Sequence, residues 1–281
     1  MDRNARLYPA LIFMMAITTI LLAAWKNWQL NRADGLRASL ALTYLFNLRR
    51  SFPVSGGLYL HCWSLAVEEQ FYIGWSLALP FIAKASMRTR KTVLGSVIVG
   101  SFIVYVVVYF AMTRSPLLIF EKASLAANMW KMIAGASLRL VPIPQSFRGS
   151  RTLPVGFLLL FVTILVSLQK TPFLILVEPG AVAVAIAFIM ASVRNGGGEV
   201  AILSWPSVRF MGKISYGWYL WQLPIQRLSG WDGADAKHPY FGALCATSAA
   251  FVVAMVSTFM VEEPVRTWYK GLKSKKTAAS S

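Results

Sequence analysis

Apolar residues fall along this chain in long runs separated by short basic gaps. Eight runs approach or exceed the length of a membrane-crossing helix: roughly residues 7–25, 61–83, 93–112, 123–141, 153–169, 172–193, 208–226 and 240–261. A shorter stretch, 36–48, is amphipathic and too short to span upright, which leaves it interfacial or re-entrant. The run 123–141 is the weakest, because Lys131 interrupts it. Pro179 within 172–193 predicts a kink, and Glu178 beside it puts a carboxylate at membrane depth. The pattern predicts an all-α integral membrane protein, a polytopic bundle of about eight transmembrane helices. One membrane domain is expected over residues 1–270, then a basic tail at 271–281 that is disordered from about Ser274.

The run that begins at His61 carries the densest chemistry. Read as a helix, His61, Ser64, Glu68, Tyr72 and Trp75 are spaced 3, 4, 4 and 3 apart and form one stripe. Glu69 lies to one side of it and Gln70 on the far side. A mostly polar stripe on an apolar helix is expected to face a protein interior or a wet cavity. An ionisable group at that depth marks a functional site by default. The plainer alternative is that Glu68 and Glu69 pair with Arg or Lys from neighbouring helices and hold the bundle together.

Composition narrows the class. Apolar residues make up 57% of the chain, charged residues only 14%, and the mean hydropathy is +0.57. These values belong to a membrane protein rather than a soluble domain. The net charge of +17 does not indicate nucleic acid, because the basic residues sit in gaps between apolar runs. Cys62 and Cys245 lie in apolar surroundings and read as small buried hydrophobes. With His61 and His238 the only histidines, no metal site is expected. No P-loop, G-x-S-x-G or G-x-G-x-x-G occurs, which removes the common NTPase, hydrolase and dinucleotide readings.

Charge asymmetry sets an expected topology. With both termini in the cytoplasm, that side gathers the basic clusters around Arg3, Arg88, Arg148, Arg209 and Lys273, and the far side holds fewer. His61 then lies near the outer face, with Glu68 about two turns, roughly 10 Å, deeper. No cleavable signal peptide is expected. Arg3 and Arg6, at i and i+3, could grip a phosphate-rich ligand or serve as a plain positive-inside anchor. The aromatic block from Ile214 to Pro224 could be an interfacial belt, and Val261 to Arg266 reads as a helix end with a proline stop.

Four blocks in order carry a resemblance. They are R-x-x-R-L-x-P-A (Arg3 to Ala10), H-x-W-S-L-A-V-E-E-Q-F-Y (His61 to Tyr72), I-S-Y-x-x-Y-L-W-x-x-P-I (Ile214 to Ile225) and V-E-x-P-x-R (Val261 to Arg266). Together they resemble the acyltransferase-3 family of bacterial membrane proteins, which O-acylate glycans. The second block is highly specific, and the stretch between about 85 and 205 matches only in hydropathy.

The resemblance implies an enzyme of the bacterial inner membrane, multi-pass, that moves an acyl group, usually acetyl, from cytoplasmic acyl-CoA to a sugar hydroxyl. Its acceptor would be an extracytoplasmic or lipid-linked glycan such as lipopolysaccharide or exopolysaccharide. Acyl-CoA is a co-substrate, and no cofactor is expected. Arg3 and Arg6 would bind the acyl donor. Glu68, Glu69, His61 and Tyr72 would be catalytic. Trp63, Ser64, Gln70, Tyr216, Trp221 and Gln222 would bind substrate or line the core. The expected partners are acyl-CoA, a glycan acceptor and the lipid bilayer, with no nucleic acid.

Two departures from the family pattern shape the expectation. The family places two helices before the R-x-x-R segment, with an Arg and a catalytic His in the first, whereas Met1 here stands directly before Arg3. A chain lacking its first two membrane helices, inactive alone and in need of a separate polypeptide that supplies them, is therefore expected. Many relatives also have His where Gln222 stands, and Gln is no general base at pH 7. Two further readings stand beside the enzyme: a transporter or exporter with an intramembrane carboxylate relay, and a non-catalytic remnant.

Overall fold

The structure is a computed structural model that describes residues 4–25, 32–51, 57–114, 125–142, 152–167, 172–194, 201, 203–230 and 239–278. The helices are α1 (Asn4–Trp25), α2 (Arg32–Leu42), α3 (Cys62–Lys84), α4 (Met87–Arg114), α5 (Leu125–Leu140), α6 (Thr152–Ser167), α7 (Pro172–Arg194), α8 (Pro206–Ser229), α9 (Pro239–Ser257) and α10 (Glu263–Ala278). Short 3₁₀ turns occupy Phe46–Ser51 and Gly57–Tyr59, and a π-helical turn, Thr258–Glu262, joins α9 to α10. Among the described residues there is no strand. Leu7–Ala24, Met87–Ala111 and Phe241–Leu272 are long and apolar enough to cross a membrane, and Thr152–Val166 and Val177–Val193 are shorter apolar helices. The chain is an all-α membrane protein, and the described residues of each of the eight expected runs are helical. α7 continues through Pro179.

Two compact units divide the chain. The first comprises residues 1–66 and 206–281. Its core is built from Leu11 and Met14 of α1, Leu40 of α2, Phe46, Tyr59, Leu65 of α3, Leu220 and Trp221 of α8, and Ala250 and Ala254 of α9. The amphipathic stretch 36–48 does not span. It ends α2, turns at Tyr44 and packs on α1. The Tyr8 hydroxyl donates to the Leu42 carbonyl at 3.0 Å, and the Tyr8 and Tyr44 rings meet edge-on at 5.3 Å. Tyr44, at φ 54°, holds the left-handed conformation that reverses the chain there. Beyond it, the Tyr59 hydroxyl reaches Thr19 of α1 at 3.2 Å. The chain from α2 to Tyr59 therefore packs alongside α1.

α10 corrects the expectation of a disordered tail. It is helical through Ala278. Lys, Leu and Ala favour helix, and Glu263 at its start with lysines towards its end suits the helix dipole.

The second unit holds residues 67–205. Phe71 of α3, Leu94 of α4 and Ile133 of α5 share a buried cluster. The Ser101 hydroxyl on α4 donates to the Ala126 carbonyl and accepts the Trp130 N–H at 2.9 Å, so it ties α4 to the backbone of α5. Lys131, the interruption in this span, is accommodated internally. It donates to Asn128 Oδ1 at 2.9 Å and lies over the rings of Tyr105 and Trp130. α6 and α7 pack closely where Gly156 meets α7, since a Cβ there would stand 2.7 Å from Ile189 Cγ1 and 2.9 Å from the Ala185 carbonyl.

Candidate functional site

α8 is the element on which the site is assembled. Its residues 216, 217, 219 and 221 face three different neighbours within the first unit. The Tyr216 hydroxyl donates to the Leu7 carbonyl in the first turns of α1 at 3.0 Å. One turn on, the Tyr219 hydroxyl donates to the His61 carbonyl at 2.6 Å and also pairs with the Ser64 hydroxyl. The His61 ring meets the Tyr219 ring edge-on at 5.4 Å. His61, directly before α3, thus sits beside the middle of α8. Trp221 is 2% exposed, packs edge-on against Phe13 at 6.0 Å, and buries an Nε1 with no hydrogen bond among the described residues.

Gly217 gives the third contact. A Cβ at this position would lie 3.2 Å from Glu262 Oε1 and 3.3 Å from Thr258 Oγ1, so the absent side chain lets the π turn approach α8. Thr258 donates its hydroxyl to Glu262 Oε1 at 3.2 Å, and both residues are buried. Beside them, Lys213 of α8 and Arg266 of α10 converge on one oxygen of Glu263, at 2.8 and 3.3 Å. Lys213 Nζ also lies 4.5 Å from the centre of the Phe259 ring. Lys213, Thr258, Glu262, Glu263 and Arg266 line a cavity of about 230 Å³. α1 packs on both the π turn and α10. π turns inside helices commonly mark functional positions, because the widened turn re-aims side chains.

The residues singled out in the sequence separate into groups. His61, Trp63, Ser64, Tyr216 and Trp221 gather in the first unit. Gln222, on the same helix, is exposed. Glu68, Glu69, Gln70 and Tyr72 belong to the second unit. α3 is unbroken, so Ser64, Glu68, Tyr72 and Trp75 keep their register with His61 just before the helix, but the stripe is not uniformly enclosed. Tyr72 is 41% exposed, Glu68 is half-buried, and Glu69, to one side of the stripe, is the buried carboxylate at 8%. Arg3 and His238 lie outside the described residues. Arg6 stands in the first turn of α1, immediately before Leu7.

Sequence reasoning passed over Tyr219, Gly217, Lys213, Thr258 and Glu262. Tyr219 and Gly217 stand inside the Ile214–Ile225 block, and Glu262 inside Val261–Arg266, so position in a block was the available signal. The proline stop was misread. Pro264 falls in the first turn of α10, where a missing N–H is tolerated, and the helix continues past it.

A family model described as an acyltransferase domain matches residues 1–262. The Bacillus subtilis (strain 168) protein named "Putative peptidoglycan O-acetyltransferase YrhL" is 25% identical over 288 aligned positions, which cover 94% of this chain and 45% of that protein. The Listeria monocytogenes (serovar 1/2a) protein named peptidoglycan O-acetyltransferase OatA is 26% identical over 236 positions, covering 76% of this chain and 37% of its own length. The chain therefore spans less than half the length of either relative. No solved structure matches it.

Proposed function

This chain belongs to the acyltransferase family, and on that premise we propose that it is a membrane O-acetyltransferase that modifies a glycan hydroxyl with an acetyl group taken from acyl-CoA. The relatives' names direct the acceptor towards peptidoglycan or a precursor of it. The enzyme sits in the bacterial cell membrane with both termini cytoplasmic, so that the donor is taken up from the cytoplasmic side.

One observation carries the reading. Four blocks that lie far apart in sequence, at Leu7, His61–Ser64, Tyr216–Trp221 and Glu262–Arg266, meet at α8 within one compact unit. Packing alone does not require polar and ionisable groups to assemble there, and polar groups in a membrane helix bundle mark a site.

In the reaction, the acceptor oxygen forms a bond to the thioester carbonyl carbon as the C–S bond breaks. The hydroxyl proton passes to a base, and the CoA thiolate leaves and is protonated. Arg3 and Arg6 hold the donor through its phosphates. His61, Glu68 and Glu69 are the groups of this chain able to take the proton, and Tyr72 belongs to the same catalytic set. Trp63, Ser64, Gln70, Tyr216, Trp221 and Gln222 position the substrates.

The test is made in the native host. The gene is deleted, and alkali-labile acetate on purified peptidoglycan is measured, with complementation by wild type and by Glu68→Ala. Loss of acetate on deletion, restoration by wild type and no restoration by Glu68→Ala are expected. Unchanged acetate on peptidoglycan and on every other cell-surface glycan after deletion would overturn the reading.

A further inference from the structure

The cavity under the π turn has a charge arrangement that its own residues do not explain. Two cations from different helices, Lys213 of α8 and Arg266 of α10, point at a single carboxylate oxygen of Glu263. All three side chains remain about one-third exposed. Exposed pairs of this kind contribute little to stability, so the arrangement is poorly accounted for as a brace.

Convergent Lys and Arg donors around one oxygen form the pattern that receives a phosphate. We propose that the cavity lined by Lys213, Thr258, Glu262, Glu263 and Arg266 receives a phosphate or pyrophosphate group, and that the Glu263 carboxylate holds its place until the ligand displaces it.

Three features fit. Lys213 has a second anchor, the Phe259 ring 4.5 Å away, so it stays in place when Glu263 swings out. Arg266 stands one turn along α10 from Glu263 and follows the same helix, not the carboxylate. The other acid, Glu262, is turned towards α8, where it takes the Thr258 hydroxyl and borders Gly217, so its charge does not occupy the position between the two cations. α1 packs against this same π turn and α10. The acyl-CoA reading above supplies the ligand's identity, a CoA pyrophosphate, and the inference rests on that reading only to this extent. An anionic lipid headgroup offers the same chemistry from a different source.

The full chain in phosphatidylcholine nanodiscs is titrated with CoA and, separately, with inorganic pyrophosphate by calorimetry. Wild type is expected to bind both, with pyrophosphate competing against CoA. Lys213→Gln and Arg266→Gln are each expected to weaken binding about tenfold, the loss of one charge-assisted contact. Glu263→Gln is expected to tighten it several-fold, because the competing anion is gone. Arg266→Lys, which keeps the charge, recovers part of the loss.

CoA binding that is equal in wild type and in the Lys213 and Arg266 variants sinks the subsite and leaves the donor reading standing. Pyrophosphate binding that depends on Lys213, without any CoA binding, keeps the subsite and sinks the donor reading. Weaker binding in Glu263→Gln overturns the displaceable role. Loss of both ligands when phosphatidylglycerol replaces part of the phosphatidylcholine reassigns the cavity to a lipid headgroup and overturns its assignment to the donor. Wild type that binds neither ligand overturns the proposal.

Discussion

The hydroxyl of Tyr219 donates to the main-chain carbonyl of His61 across 158 positions of sequence, at 2.6 Å. That carbonyl also accepts from the Ser64 hydroxyl at 3.2 Å, and Ser64 pairs with Tyr219 in turn. Three polar groups are closed on one another at the start of α3, and α8 is what holds them. Tyr219→Phe keeps the ring contact with His61 and removes both hydrogen bonds. It is expected to cost about 1–2 kcal/mol of stability. Thermal unfolding in detergent measures that loss. If His61 acts in the reaction, acetyl transfer falls by more than the folded fraction does, because the imidazole's backbone is no longer pinned.

Gly217 is expected to be intolerant of even a methyl group. A Cβ would press on Glu262 Oε1 at 3.2 Å and Thr258 Oγ1 at 3.3 Å, and neither atom belongs to a long, free side chain able to swing away without breaking their mutual hydrogen bond. Ala would otherwise stabilise a helix by up to about 1 kcal/mol over Gly. The sign is therefore informative. Gly217→Ala is expected to lower stability by about 1–2 kcal/mol, the range for small overpacking changes. A stability equal to or above wild type in thermal unfolding would mean that the π turn is free to withdraw from α8.

The two carboxylates of the Glu68–Glu69 pair are expected to separate under substitution. Glu69 is 8% exposed and Glu68 half-buried. Truncating the buried member removes a packed side chain from the interior, a change that costs about 0.5–3 kcal/mol. Glu69→Ala is expected to reduce the amount of folded protein in the membrane, and Glu68→Ala to leave the amount unchanged while abolishing acetyl transfer. Quantified expression together with acetate release distinguishes them. Full transfer by Glu68→Ala would remove it from the catalytic set.

The helices were legible because hydropathy and length leave a lipid-embedded chain few other options. The described residues of all eight apolar runs are helical, and the amphipathic segment at 36–48 packs on α1 through the Tyr8–Leu42 hydrogen bond. What could not be read was which blocks meet. The Tyr216–Leu7 contact joins residues 209 apart, and no periodicity within a helix reports a partner at that distance. The stripe on α3 was right in register and incomplete in environment. Helical spacing fixes which residues share a face, but burial depends on neighbouring helices, so Tyr72 is exposed and Glu69, off the stripe, is buried. The π turn was hidden for a different reason. Val261–Pro264 looks like a terminus to any rule built on proline, whereas a proline in the first turn of a following helix needs no N–H.

Arg90 illustrates how a residue assigned by the positive-inside pattern can be structural. Its Nε donates to the Ile82 carbonyl at 3.2 Å, one terminal nitrogen to Leu140 at 3.0 Å, and the other to Ala83 at 2.7 Å and Ala85 at 3.2 Å. These acceptors lie at or just past the C-terminal ends of α3 and α5, where a helix leaves carbonyls without intrahelical donors. One guanidinium therefore closes two helix ends, and its charge suits both helix dipoles. Lysine places all its donors on one nitrogen and cannot reach the four carbonyls together. Arg90→Lys is expected to cost about 1–2 kcal/mol and Arg90→Ala about 2–3 kcal/mol, since several charge-assisted bonds are lost from a partly exposed site. Thermal unfolding should rank wild type, Lys and Ala in that order, while acetyl transfer per folded molecule stays at the wild-type level. Equal stability of the Lys and wild-type chains would mean that charge alone caps these helices and that the forked geometry contributes nothing.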